Sequence, residues 1–221
     1  MTRPAPAGGY RLAVMLAALA GAVDAIGFVH WRGLFVSFMS GNSTTLVVET
    51  SRAAWGEAML SASVIGSFVA GVILGELIAA AAGRSASATV LLIEAILLAG
   101  AGSAGLYGFG EHPMAPVLAL AMGTQNASIH KAGGISVALS YVTGTLVHVG
   151  RCLAQACLGR GSWSAALPYL GLWCGLAAGA AAGALAARSS EAAAILGAAA
   201  VALALAWASR SMIVSETSAA R

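Results

Sequence analysis

Three acidic residues stand inside apolar stretches of this chain: Asp24, Glu76 and Glu94. A charged side chain at the centre of a bilayer costs roughly 2.5–3.5 kcal/mol on insertion scales, so an acid held there needs a partner or a task. Asp24 lies about 12 residues into the stretch Leu12–Val29, which at ~1.5 Å per residue puts it past the midplane. It sits between Gly21 and Gly27, where the backbone can leave regular helix. A carboxyl group there can serve a proton or a cation, or it can bond to a neighbouring helix. Glu94 is eight residues into the stretch 86–107 and has no partner three or four residues away on its own helix. It reads either as a proton relay or as a tie between helices. Glu76 is near the end of its stretch, two turns from Arg84, and interfacial solvation accounts for it.

Uncharged polar residues cluster in three places. Thr124-Gln125-Asn126 falls in the middle of an apolar stretch. Consecutive helical residues point about 100° apart, so all three cannot face lipid cheaply, and some must face a cavity or another helix. The other two clusters are Ser40-Gly41-Asn42-Ser43-Thr44-Thr45 and Thr143-Gly144-Thr145. Glycine lets a helix open, and hydroxyls and amides can then satisfy the freed backbone or bind a solute. The expected solute-binding set is Asp24, Ser40, Gly41, Asn42, Gln125, Asn126, Thr143 and Gly144, with Asp24 and Glu94 as the proton- or cation-coupling acids.

Other chemistries lack their residues. There is no Gly-x-Ser-x-Gly elbow, no His-Glu-x-x-His and no Gly-x-x-x-x-Gly-Lys-Ser/Thr loop, so neither an enzyme nor an ATP-driven pump is expected. Without His-x-x-x-His or Glu-x-x-His, no metal is expected, and no cofactor either. Cys152, Cys157 and Cys174 form no Cys-x-x-Cys pair and are expected to fill packing space. His30-Trp31-Arg32, Trp55, His130, Lys131, His148 and Arg151 fit membrane interfaces.

The elements that must hold these groups follow from composition. Of 221 residues 59% are hydrophobic and 9% charged, against roughly 45–50% and 25% in soluble domains. The net charge of +3 comes from basic residues scattered along the chain, which excludes a nucleic-acid-binding face. With ~20 apolar residues per span, the chain accommodates about six spans and little else. Ten Arg against one Lys, with 28 Gly, suit a GC-rich bacterial genome. The clear stretches are 12–29, 58–82, 86–107, 114–129, 165–187 and 192–209; two shorter ones, 34–48 and 135–146, are interrupted by Ser, Thr, Gly and Asn. The first stretch follows Arg3 and Arg11 as a secretion signal would, but further spans follow it and an uncleaved first helix is expected.

An offset of 102 or 103 residues sets Gly21 on Gly123, Asp24 on Asn126, and Ser37-Phe38-Met39-Ser40-Gly41-Asn42 on Ser140-Tyr141-Val142-Thr143-Gly144-Thr145. The same offset carries 58–82 onto 165–187 and 86–107 onto 192–209, giving repeats 12–107 and 114–209 within a single membrane domain, 1–221. Glycines four residues apart, Gly71 and Gly75 and then Gly171, Gly175, Gly179 and Gly183, predict close helix approach.

Six spans place Arg3, Arg11, Arg84, Lys131, Arg151, Arg160, Arg210 and Arg221 inside and Arg32, Arg52 and Arg188 outside. Eight spans give a weaker seven-to-four split. The expected fold is therefore all-α: a polytopic bundle of six spans and two short Ser/Thr-Gly segments, with the N-terminus cytoplasmic. Three spans per repeat make the repeats inverted, as in many secondary transporters; eight spans would make them parallel.

The motifs Gly21-Ala22-Val23-Asp24-Ala25, Met39-Ser40-Gly41-Asn42, Met122-Gly123-Thr124-Gln125-Asn126-Ala127 and Tyr141-Val142-Thr143-Gly144-Thr145, in this order, resemble the YoaK family of bacterial membrane proteins over about residues 12–209. Ser40 stands where that family typically carries Thr, and the hydroxyl is kept. The resemblance implies a multi-span inner-membrane protein and supplies no substrate. The residues themselves lead to a secondary transporter or channel-like carrier of a small molecule or ion. The alternative is a non-transporting scaffold or sensor subunit that packs against a partner. A membrane-embedded lipid enzyme has no motif behind it. Lipid is the sure partner, and a second copy of the chain is an admissible one.

Overall fold

Runs of Ala, Leu, Val and Ile can satisfy every backbone group only as helix once water is removed, and helix is what these runs form. The computed structural model describes residues 7–31, 33–109, 111–128, 131–132, 135–136 and 142–219. Among them are α1 (Ala7–His30), α2 (Met39–Ser51), α3 (Trp55–Ala82), α4 (Ala86–Leu106), α5 (Glu111–Gln125), α6 (Val142–Cys157), α7 (Leu167–Ala187) and α8 (Glu191–Ala219). The class is all-α; a two-residue antiparallel pairing of Lys131–Ala132 with Ile135–Ser136 is a minor addition. Four stretches among the described residues are long and apolar enough to cross a membrane, Gly8–His30, Trp55–Leu106, Trp163–Ala187 and Glu191–Arg210. The second of these comprises α3, the turn Gly83–Ser85 and α4.

Three of the packing pairs are set by small residues. Along α7, a Cβ at Gly171, Gly175, Gly179 or Gly183 would strike Tyr10, Val14, Ala18 or Ala22 of α1. Both numbers rise together, so α1 and α7 run parallel. A Cβ at Gly71 or Gly75 of α3 would meet Leu120 or Thr124 of α5, so that pair is parallel too. In α4 and α8 the order reverses: Gly102 faces Leu196 and Gly105 faces Ala192, an antiparallel contact. Where α1 ends, His30 donates from Nε2 to the Ala187 carbonyl at 3.1 Å and lies 3.7 Å from the Glu191 carboxylate through Nδ1. The ends of α1 and α7 and the start of α8 thus share one end of the bundle.

These directions form one consistent set. With α1 pointing up, α7 points up and α8 down; α4, antiparallel to α8, points up, and α3 and α5, each antiparallel to α4, point down. The chain leaves α1 and enters α3 at the same upper end, so α2 returns to the end from which it came. By the same reasoning α6 returns to the lower end between α5 and α7. At ~1.5 Å per residue, the 13 residues of α2 span about 20 Å, short of a ~30 Å hydrocarbon core.

Helices set on one another by the sequence offset take corresponding partners. Helix α1 packs on α7 and α5 on α3, so the first helix of each half docks against the third helix of the other, while the fourth helices, α4 and α8, pack on each other. Gly21 meets α7 at Leu176 and Ala180, and Gly123 meets α3 at Phe68 and Gly71. The residues matched by the sequence offset occupy matched crossings.

Several sequence expectations shift. Thr124-Gln125-Asn126, expected mid-span, closes α5, because the helix begins earlier, at Glu111, and tightens to a 3-10 turn over Asn126–Ser128. Of the segment expected at 135–146, Ile135–Ser136 are extended and the described helix runs from Val142 to Cys157, past its expected end. Trp31, expected at an interface, is only 4% exposed, since the chain folds back over Gly27 and lays the indole on it. Cys157 and Cys174, expected to fill packing space, are exposed, which a lipid-facing surface tolerates in a small apolar residue. Arg3, Arg32, His130, Ser140 and Tyr141 lie outside the described residues.

Candidate solute site

The site is built by the turn that follows α1. The amide of Trp31 donates to the Gly27 carbonyl at 2.7 Å, and Gly33 reverses the chain with a left-handed φ of 86°, a conformation glycine adopts without a Cβ penalty. Residues 34–38 then descend beside α1. There the Asp24 carboxylate accepts from the amides of Val36 at 2.8 Å and Ser37 at 2.7 Å through Oδ1, and from the Ser37 hydroxyl at 2.5 Å through Oδ2. Asp24 is one and a half turns from the end of α1, so the descending strand reaches about 9 Å below that end.

The first Ser-Gly-Asn motif locks this strand. Asn42, 1% exposed, accepts from the Phe35 amide at 3.0 Å and donates to the Phe35 carbonyl at 2.5 Å. Gly41 leaves room for the rings of Phe35 and Phe38, which a Cβ would press at 3.1 and 2.8 Å. Ser43, Thr44 and Thr45 return their hydroxyls to Met39, Ser40 and Gly41 carbonyls of their own helix at 2.8, 3.2 and 3.2 Å. Ser40 is exposed.

A cavity of about 530 Å³ opens between α1, the 35–38 strand, α6 and α7, with Asp24, Phe28, Phe35, Phe38, Thr143 and Trp173 among its lining residues. That volume falls within the ~300–1,000 Å³ of small-molecule sites. The rings of Phe28 and Phe35 lie 5.2 Å apart, as do those of Phe35 and Phe38, the latter edge to face. Helix α6 enters from the other end of the bundle, where His148 stacks on Tyr169 at 4.7 Å, and brings its first turn, with Thr143, to the cavity.

Of the residues expected to bind or couple, the cavity gathers Asp24 and Thr143. Ser40, Gly41, Asn42, Gln125, Asn126, Gly144 and Glu94 do not line it. Gln125, 1% exposed, donates to the Leu16 carbonyl of α1 at 3.2 Å, and Thr124 bonds to Ala121. Asn126 donates to Met122 at 3.0 Å and holds a further partner. Glu94, 0% exposed on the inner face of α4, has neither carboxyl oxygen hydrogen-bonded among the described residues. No group of His, Cys, Asp and Glu there could hold a metal ion. The lining residues not anticipated include Ser37, Phe28, Phe35, Phe38 and Trp173. Their signal was present: three of the chain's five phenylalanines fall between positions 28 and 38.

Long apolar helices packed through glycine, with short helices that return to the end they left, make this a multi-pass membrane protein. Residues 12–208 match the DUF1275 family, described as a protein of unknown function, and the chain belongs to that family, commonly called YoaK. It is 35% identical over 170 residues to a UPF0700 transmembrane protein of Rhizobium meliloti (strain 1021), an alignment covering 76% of this chain and 72% of the relative. No solved structure matches.

Proposed function

We propose that the protein is a secondary transporter or channel-like carrier of a small solute in the bacterial cytoplasmic membrane. The observation that carries this reading is the convergence of two returning segments, residues 35–38 leading into α2 from one end of the bundle and the start of α6 from the other, on a single cavity that contains an acid. Interrupted segments at corresponding positions of two repeats are where carriers build their sites.

The helix directions support six spans, α1, α3, α4, α5, α7 and α8, over eight. Eight alternating spans would make α4 and α8 parallel, whereas Gly102 and Gly105 give the opposite order. Equivalent helices running in opposite directions favour inverted repeats. Arg11, Arg84, Arg160 and Arg210 fall at the end where α1 begins, and Arg52 and Arg188 at the other, which favours a cytoplasmic N-terminus.

In this reading Asp24 and Thr143 meet the solute. Ser40, Gly41 and Asn42 shape the segment that enters at α2, Gly144 lies in the first turn of α6, Gln125 and Asn126 finish α5, with Gln125 tying it to α1, and Asp24 and Glu94 carry the coupling proton or cation. No catalytic step is assigned. Uptake of a panel of metabolites and ions into proteoliposomes, with and without a pH gradient, tests it. Asp24→Asn and Thr143→Val should each lower uptake of the transported solute about tenfold or more; unchanged uptake in both variants overturns the site. Absence of flux, with stable co-purification of another membrane protein, overturns transport in favour of a scaffold.

A further inference from the structure

Resting on that reading of the cavity as a solute site, we infer that its ligand is a monovalent organic cation with an apolar body, of the alkyl- or aryl-ammonium class. Three features of the lining select it. The first is sign. Asp24 is the one ionisable group among the lining residues, with no Lys, Arg or His beside it. Its oxygens accept from the Val36 and Ser37 amides and the Ser37 hydroxyl, with the Phe38 amide also turned to them, and none of these brings a charge. An anion would have to approach a carboxyl group in a site whose amide donors at the entry to α2 already bond to that group.

The second feature is the wall. Phe28, Phe35 and Phe38 form a continuous aromatic run with neighbouring ring centres 5.2 Å apart, and Trp173 of α7 adds an indole to the lining. The negative faces of aromatic rings attract ammonium groups, and do so more strongly when water is excluded. The third is size. About 530 Å³ far exceeds a dehydrated metal ion, and Ser37 and Thr143 supply only two hydroxyls, too few to replace an ion's oxygen shell. A bulky cation that carries its charge inside a hydrocarbon surface fits the acid and the rings together.

Isothermal titration calorimetry of the full-length protein in nanodiscs of zwitterionic lipid tests the assignment. The probes are benzyltrimethylammonium, choline and the neutral choline isostere 3,3-dimethylbutan-1-ol. Benzyltrimethylammonium should bind saturably, and choline more weakly. The alcohol should not bind. Asp24→Asn and Phe35→Leu should each weaken the cation about tenfold; if Asp24→Asn does not fold, Phe35→Leu and Trp173→Leu decide. No saturable cation binding by the wild type, equal binding of the alcohol, or full affinity in the folded variants overturns the inference. Ammonium binding without uptake upholds this ligand class and removes the carrier reading. Asp24-dependent uptake of an anion, with no ammonium binding, does the reverse.

Discussion

The two buried acids face opposite circumstances. Asp24 gathers three donors from the descending strand and still borders a cavity, whereas Glu94 has no hydrogen-bond partner among the described residues although it is fully buried. An unsatisfied buried polar group costs about 1–3 kcal/mol. Glu94→Leu is therefore expected to raise stability by about that amount, read as a higher midpoint in thermal unfolding of the detergent-purified protein, while pH-gradient-driven uptake is lost. A lower midpoint would show that the carboxyl has a structural partner. Sequence alone flagged both acids through their cost in a bilayer. It could not separate them, because the donors to Asp24 come from residues 12 and 13 positions away, across a turn that periodicity does not describe.

At the scale of elements, the glycine rows decide which helices meet. Gly179 lies against the Ala18 backbone, while Gly100 has open space around it. Gly179→Leu should force α7 off α1 and abolish recovery of monodisperse protein on size-exclusion chromatography. Gly100→Ala, a gain in helix propensity of up to ~1 kcal/mol, should leave the elution profile unchanged and the midpoint equal or higher. The four-residue spacing of these glycines was readable as close approach, and the structure supplies the partners. The ends of α5 and α6 were less readable. Ala, Met and Gly around Thr124 look alike before and after the helix stops, and nothing in composition marks Gln125 as its last residue. The motifs Ser40-Gly41-Asn42 and Thr143-Gly144-Thr145 were legible as a pair. That Asn42 spends its amide on the Phe35 backbone rather than facing the cavity follows from chain reversal at Gly33, a three-dimensional fact.

For the whole molecule, the arrangement of α2 and α6 at opposite ends yields a direct check on topology. Single cysteines at the exposed Ser51 and Gln155, near the ends of α2 and α6, in a background lacking Cys152, Cys157 and Cys174, should react with impermeant maleimide from opposite faces of inside-out and right-side-out vesicles. Labelling of both from one face would require the parallel, eight-span arrangement.

The exchange of helices between halves has one more consequence. Because α1 lies in the grip of α7 and α3 in that of α5, neither half contains the partner for its own glycine face. A ribosome that has inserted α1 to α4 has delivered a half-molecule whose small-residue grooves remain filled with lipid until the second half arrives. The order of synthesis then leaves the cavity for last, since α6 and α7 close it only after every earlier helix is in place.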